Sequence, residues 1–352
     1  MVSDGVRPAH VFDLERAACR EALSTPELTL GDCSGLVVID EVQRLPQLFE
    51  VLRPLCDRSS NPATFLLLGS ASPDLMRGVS ESLAGRALFV PMHGFAIDES
   101  GPESQTRLWL RGGFPRAFLA KSEDATWRWM EEFVTTFLER DIPQLGIRVP
   151  AEALRRFWRM MAHYHGQIWN ASEIARSMDV APNTAQHYLD VLNGAFVLRV
   201  LPPWHENLKK WQVRSPKVYL RDSGMLHFLL GIESMNALRS HPRYGASGEG
   251  FALEQALALF GERDAYFWGT QRGAEIDLLL LRSGERYGFE LKCTDAPAMT
   301  RSMHVALHDL RLKKLFVVYP GEERYLLHEQ AEALPLTALM EPTTDPGHAR
   351  RG

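Results

Sequence analysis

Leu36, Val37, Val38 and Ile39 form an unbroken apolar run that stops at two adjacent carboxylates, Asp40 and Glu41. A run with no polar alternation does not suit a half-solvated sheet. It reads as a strand covered on both faces, as in a parallel sheet flanked by helices. Phe65-Leu66-Leu67-Leu68 has the same character, and the shorter His10–Leu14 precedes both. Leu48, Phe49, Leu52 and Leu55 fall between them at helical spacing. The block over residues 1–100 is therefore expected to be α/β. Open sheets of this kind bind ligands beyond the carboxyl ends of their strands, where Asp40 and Glu41 stand. Two acids at that rim suit a magnesium ion on a phosphate chain and a polarised water. An Asp there is also an ordinary cap for the next helix. Ser70, in Gly69-Ser70-Ala71-Ser72, follows the neighbouring strand where a terminal phosphate would be sensed, although small residues also suit a tight turn.

The length of 352 residues allows two or three domains, and 45% hydrophobic with 24% charged residues is ordinary for a soluble protein. A net charge of −5 and a pI near 6.2 argue against coating nucleic acid by bulk charge, leaving only local basic patches. Cys19, Cys33, Cys56 and Cys293 show no metal-ligand spacing and read as reduced thiols. Without a long apolar span or a signal segment, the chain is expected to be cytoplasmic and independent of membranes.

Residues 101–222 read as helical. Trp129, Phe133, Phe137 and Leu138 recur at helical spacing within 125–140, and a second helix covers 151–165. A short helix over 170–178, a turn at Asp179-Val180, a helix from Ala181-Pro182 to about Phe196 and a strand at 197–201 outline a winged helix-turn-helix. Asn183, Thr184, Gln186 and His187 would then face a DNA major groove. The stretch 177–198 holds no Lys or Arg, which favours packing against protein instead. Lys209, Lys210, Arg214, Lys217 and Arg221 offer a basic surface or ordinary solvated charge.

In residues 223–340, two strands around Ser283-Gly284 form a hairpin that pairs Arg282 with Glu285. Counting back sets Asp277 opposite Glu290, about 5 Å apart on one face. Lys292 shares that face by the two-residue repeat. Two carboxylates and a lysine so placed suit a divalent metal and an oriented nucleophile, or else exposed ion pairs. The tail 341–352 reads as disordered.

The Asp-x12-Glu-x-Lys arrangement of Asp277, Glu290 and Lys292 resembles the PD-(D/E)xK restriction-endonuclease-like fold. That resemblance implies a further metal-binding glutamate from the preceding helix over 250–260, for which Glu254 is the candidate. On a larger scale, Val38-Ile39-Asp40-Glu41-Val42-Gln43-Arg44-Leu45-Pro46, Leu68-Gly69-Ser70-Ala71-Ser72 and Ser80-Glu81-Ser82-Leu83-Ala84-Gly85-Arg86 carry a second likeness. Together with Leu110-Arg111-Gly112-Gly113-Phe114-Pro115 and Ser215-Pro216-Lys217-Val218-Tyr219, they resemble a prokaryotic AAA-like P-loop ATPase family with a C-terminal domain of unknown function. The resemblance implies Mg²⁺ and ATP as cofactors, with Asp40 and Glu41 as Walker B acids. It also implies Ser70 as sensor and Arg86 as a phosphate-facing arginine. Family members carry a Gly-rich, Lys-Thr loop upstream of the segment that here begins at His10, and the nine residues before it hold none. The expectation is a truncated P-loop sheet with weak or absent ATP binding, through a misplaced gene start or a degenerate ATPase. Three functions follow: an ATPase acting on nucleic acid or another macromolecule, a metal-dependent nuclease, or an interaction protein with a protein partner or a second copy.

Overall fold

A computed structural model describes residues 10–58, 63–69, 82–90, 92–206, 212–341, 344 and 346–347. Ser70, Lys209 and Lys210 lie outside them. The chain divides into two compact units, Met1–Pro91 and Met92–Gly352.

The first unit contains a parallel sheet in the order β1 (His10–Asp13), β2 (Gly35–Asp40), β3 (Ala63–Leu67). Its register sets Asp13 beside Asp40 and Val37 beside Phe65. Val37 and Ile39, on one face of β2, are fully buried, and Val38 on the other face is 8% exposed. The first two pack with Leu14, Leu23 and Leu30, and with Leu48, Phe49 and Leu52 of a helix, Leu48–Cys56. Each such side chain contributes about 1.5–3 kcal/mol when removed from water. β3 differs from the expected doubly buried strand. Leu66 is 40% exposed because it shares a face with Val38 and Val11, the latter 59% exposed, whereas the described core gathers on the opposite face, with Val37, Ile39 and Phe65. Two short helices, α1 (Ala17–Ala22) and α2 (Pro26–Gly31), link β1 to β2, and α3 (Leu48–Cys56) links β2 to β3.

After one helical turn at Ile97–Ser100, the second unit has α4 (Gln105–Arg111) and α5 (Glu123–Thr136), the latter capped by Ser122 and extended through a wider turn at Phe137–Asp141. Next come α6 (Ala151–His163), β4 (Gln167–Ile168), α7 (Ala171–Met178), α8 (Pro182–Gly194), β5 (Leu198–Leu201) and β6 (Lys217–Leu220). The three strands form an antiparallel sheet ordered β4-β6-β5. Asn170 caps α7 and Pro182 opens α8, as their sequence signals indicate. Asp222 caps α9 (Ser223–Leu230), accepting the Met225 and Gly113 N–H groups at 2.7 Å each. Gly112, at φ +77°, leaves no room for a side chain, since a Cβ would stand 2.1 Å from the Asp222 carboxylate. The Leu110-Arg111-Gly112-Gly113 motif thus serves this joint.

Helix α10 (Tyr244–Phe260) then packs on a six-stranded sheet ordered β11-β12-β10-β9-β8-β7. These strands are β7 (Ala265–Gly269), β8 (Glu275–Arg282), β9 (Glu285–Leu291), β10 (Lys314–Tyr319), β11 (Tyr325–His328) and β12 (Ala331–Pro335). α11 (Arg301–Leu310) lies between β9 and β10 in sequence. β8 and β9 pair Arg282 with Glu285, and the turn residues Ser283 and Gly284 have φ of 50° and 80°. Positive φ at both positions is what a two-residue hairpin turn requires. The tail is corrected at one point: Thr344 is buried and donates to the Ala338 carbonyl at 2.7 Å.

Candidate functional site

The expected side chains that are described lie in two groups, one in each unit. In the first, Asp40 ends β2 at the carboxyl rim of the sheet, and Glu41 turns the chain there with φ 56° and ψ 42°. A left-handed non-glycine residue costs about 1–2 kcal/mol. Main-chain bonds offset this by fixing both sides of the turn, with Leu14 N donating to Asp40 O at 3.1 Å and Val42 N to Leu68 O at 3.0 Å. The Asp40 carboxylate accepts the Glu41 N–H at 2.9 Å, and Gln43 donates to the Glu41 carboxylate. Among the described residues no cation pairs with either acid. Asp13, which sequence reading did not single out, stands next to Asp40 in register and pairs with Arg16 at 3.1 Å. The signal for it was present, an acid ending the neighbouring apolar strand.

Arg86 is not brought to this rim. Its guanidinium holds Asp57 through two bonds of 2.7 Å, drawing that carboxyl below its usual range. Asp57 caps the far end of α3, which runs back from the carboxyl rim toward the start of β3. The phosphate-facing role expected for Arg86 is thus corrected to an ion pair at the opposite edge of the sheet.

In the second unit the hairpin register sets Asp277 across from Glu290. Both are buried, at 6% exposure each. Asp277 accepts the Leu291 N–H at 2.9 Å, and Lys292 pairs with Glu290 at 2.7 Å. Glu254 does not join them. It pairs with Arg199 at 2.7 Å, beside Glu262, which Arg199 and Arg221 hold at 2.8 and 3.0 Å. The acid that α10 does supply is Glu249, which accepts the Tyr219 hydroxyl at 2.6 Å. Glu249 and Glu254 are five residues apart, about 140° around a helix, so one helix cannot aim both at the same patch. The helix also starts at Tyr244 rather than at 250, which sequence reading missed because Gly245, Gly248 and Gly250 are poor helix formers. Here they permit close packing: a Cβ at Gly248 would stand 2.2 Å from the Cys293 sulfur.

The cation in this patch is Lys217, corrected from a surface charge to a buried one. Its ammonium lies 3.3 Å from Glu249 and 3.4 Å from Asp277, and it contacts Glu275. Burial works against its charge, but Tyr219, Asp277, Glu249 and Glu275 hold it above the ordinary lysine value. Arg221 is likewise enclosed, with its guanidinium 5.0 Å over the Phe196 ring. Burial, then the Asp277 charge, pushes Glu249 up to about 7 and Glu290 up to about 8, with Lys292 opposing the latter shift. Among the described residues no three His, Cys, Asp or Glu side chains converge as a metal-holding group. The metal set expected of Glu254, Asp277 and Glu290 is therefore not assembled.

Glu290 carries a pH prediction. Its folded value near 8 lies above the ordinary 4.5, so ionising it costs folding energy as pH rises between those limits. Glu290→Gln avoids that cost. Its melting temperature is expected to match the parent at pH 5 and exceed it at pH 8.5. Calorimetric scans in which the difference does not grow with pH would contradict the burial argument.

An AAA domain model matches residues 7–100, and two domains of unknown function, DUF8612 and DUF4143, match 102–236 and 244–339. The chain is 50% identical over 333 residues to uncharacterized protein Rv2008c of Mycobacterium tuberculosis. It has the same identity to uncharacterized protein Mb2031c of Mycobacterium bovis, and each alignment spans 95% of this chain and 76% of the relative. No solved structure matches. Among the described residues no helix is long and apolar enough to cross a membrane.

Proposed function

The chain belongs to the same family as these mycobacterial proteins, an AAA domain followed by two domains of unknown function, and on that premise we propose that it is an AAA-type ATPase acting at the carboxyl rim of β2 in the cytoplasm. The observation that carries this reading is the placement of Asp40 and Glu41 at the tip of the middle strand of the described parallel sheet, with no cation partner among the described residues. One protein carboxylate suffices where phosphates and water complete the shell of Mg²⁺, which supplies charge neutralisation on the phosphate chain. Asp40 would hold that ion. Glu41, turned off the strand end, polarises the attacking water, and Gln43 fixes its carboxylate. Ser70, following the neighbouring strand, senses the terminal phosphate. The phosphate-cradling loop of such a site would precede β1, outside the described residues.

The test uses the chain together with any in-frame Gly-rich, Lys-Thr segment upstream. A fluorescent ATP analogue is expected to bind with Mg²⁺, and Asp40→Asn to weaken Mg²⁺-dependent binding at least tenfold. Equal affinity in the variant would remove Asp40 from the site.

For the middle region, the order helix, strand, helix, helix, strand, strand supports a winged helix. Gln186 accepts from Trp169 at 2.7 Å and donates to Asp190 at 2.9 Å, so it is engaged within the domain. With no Lys or Arg along 177–198, this supports a protein-facing module over a DNA-reading one. The succession α10, β7, β8, β9, α11, β10 supports a restriction-endonuclease-like core. A metal-dependent nuclease is the second reading, favoured by the opposed Asp277 and Glu290 with Lys292 beside them.

A further inference from the structure

Lys217 belongs to the small sheet through β6, yet its side chain ends among acids of α10 and β8. One ammonium there serves Glu249, Glu275 and Asp277 together. Beside them Glu290 is 6% exposed, and its Oε2 has no hydrogen-bond partner among the described residues. A buried carboxylate oxygen without a donor is costly, and a set of hard oxygens with spare lone pairs is what a divalent cation takes. A groove of about 770 Å³, lined in part by Trp169, Asn170, Lys217 and Glu275, opens this side to solvent.

We propose that Lys217 caps a latent divalent-cation site, its ammonium standing where Mg²⁺ or Mn²⁺ would be held by Glu249, Asp277 and Glu290. The oxygens of Glu249 and Asp277 stand 3.3 and 3.4 Å from the ammonium nitrogen. A metal needs about 2.0–2.6 Å, so with the lysine in place the acids are spread too wide for one. Closing them calls for shifts of about 1 Å, within the reach of side chains once the lysine stem is gone. The inference takes from the second reading above the position of the carboxylates and needs no cleavage.

The probe is Mn²⁺, counted as free ion by electron paramagnetic resonance, on the full chain carrying Asp40→Asn to silence the other unit. Lys217→Met is expected to bind one Mn²⁺ at least tenfold more tightly than the parent, and adding Asp277→Asn is expected to abolish that binding. Should Lys217→Met fail to fold, Lys217→Met with Glu275→Gln removes one charge of each sign while keeping the three proposed ligands, and is expected to show the same gain. Affinity equal to the parent in whichever variant folds would overturn the proposal. So would a parent that already binds one Mn²⁺ in an Asp277-dependent way. Tight Mn²⁺ binding in Lys217→Met with no cleavage of DNA or RNA would instead end the nuclease reading and leave the cap intact.

Discussion

Glu41→Gln is expected to lower ATP hydrolysis by about 100-fold or more while leaving nucleotide binding close to its original strength. Glutamine keeps the size and the left-handed turn of residue 41 but loses the charge that would polarise water. The loss therefore falls on the chemical step and not on binding. Asp40→Asn is expected to lower both, because that carboxylate would be the ion's ligand in the ground state as well. The measurement is phosphate release under steady-state conditions, alongside analogue binding, on the chain with any upstream in-frame Gly-rich, Lys-Thr segment. Phosphate release unchanged in both variants would remove the ATPase assignment. A parallel fall in both parameters for Glu41→Gln would assign Glu41 to ion binding.

Arg199→Met is expected to cost about 3–5 kcal/mol of stability, the loss typical of removing one partner from a buried ion pair. The guanidinium side chain is 7% exposed and holds Glu254 and Glu262 at once. Without it, Glu254, at 12% side-chain exposure, loses the cation that hydrogen-bonds it, whereas Glu262 retains Arg221 at 3.0 Å. Arg199→Met with Glu254→Gln is therefore expected to recover more than half of the loss. Urea unfolding of the two variants measures both numbers. A single variant within 1 kcal/mol of the parent, or a double variant no better than the single, would show that the pair is not desolvated in solution.

Several parts of this arrangement were legible as residues in a line. The Leu36–Ile39 run pointed to a central strand, and β2 is the middle strand of the described sheet, its Val37 and Ile39 face packed while Val11 and Leu66 flank the other face exposed. Ser283-Gly284 set the hairpin register, and through it the opposition of Asp277 and Glu290, because a turn that needs two positive φ values leaves one pairing. The choice between Glu249 and Glu254 was not legible. Both lie in one helix, and only its rotation against the sheet decides which acid meets Asp277. Arg86 was misread for a related reason, since its position after Ala84-Gly85 does not say which end of α3 it reaches.

Local patterning therefore determined where strands begin, which carboxylates end them and how the hairpin pairs, because these depend on neighbours within a few residues. The occupant of the acidic patch was decided by tertiary structure alone. Lys217 lies 60 positions from Asp277 in sequence, and its partnership exists because β6 and α10 pack its ammonium out of water, where three carboxylates hold it charged.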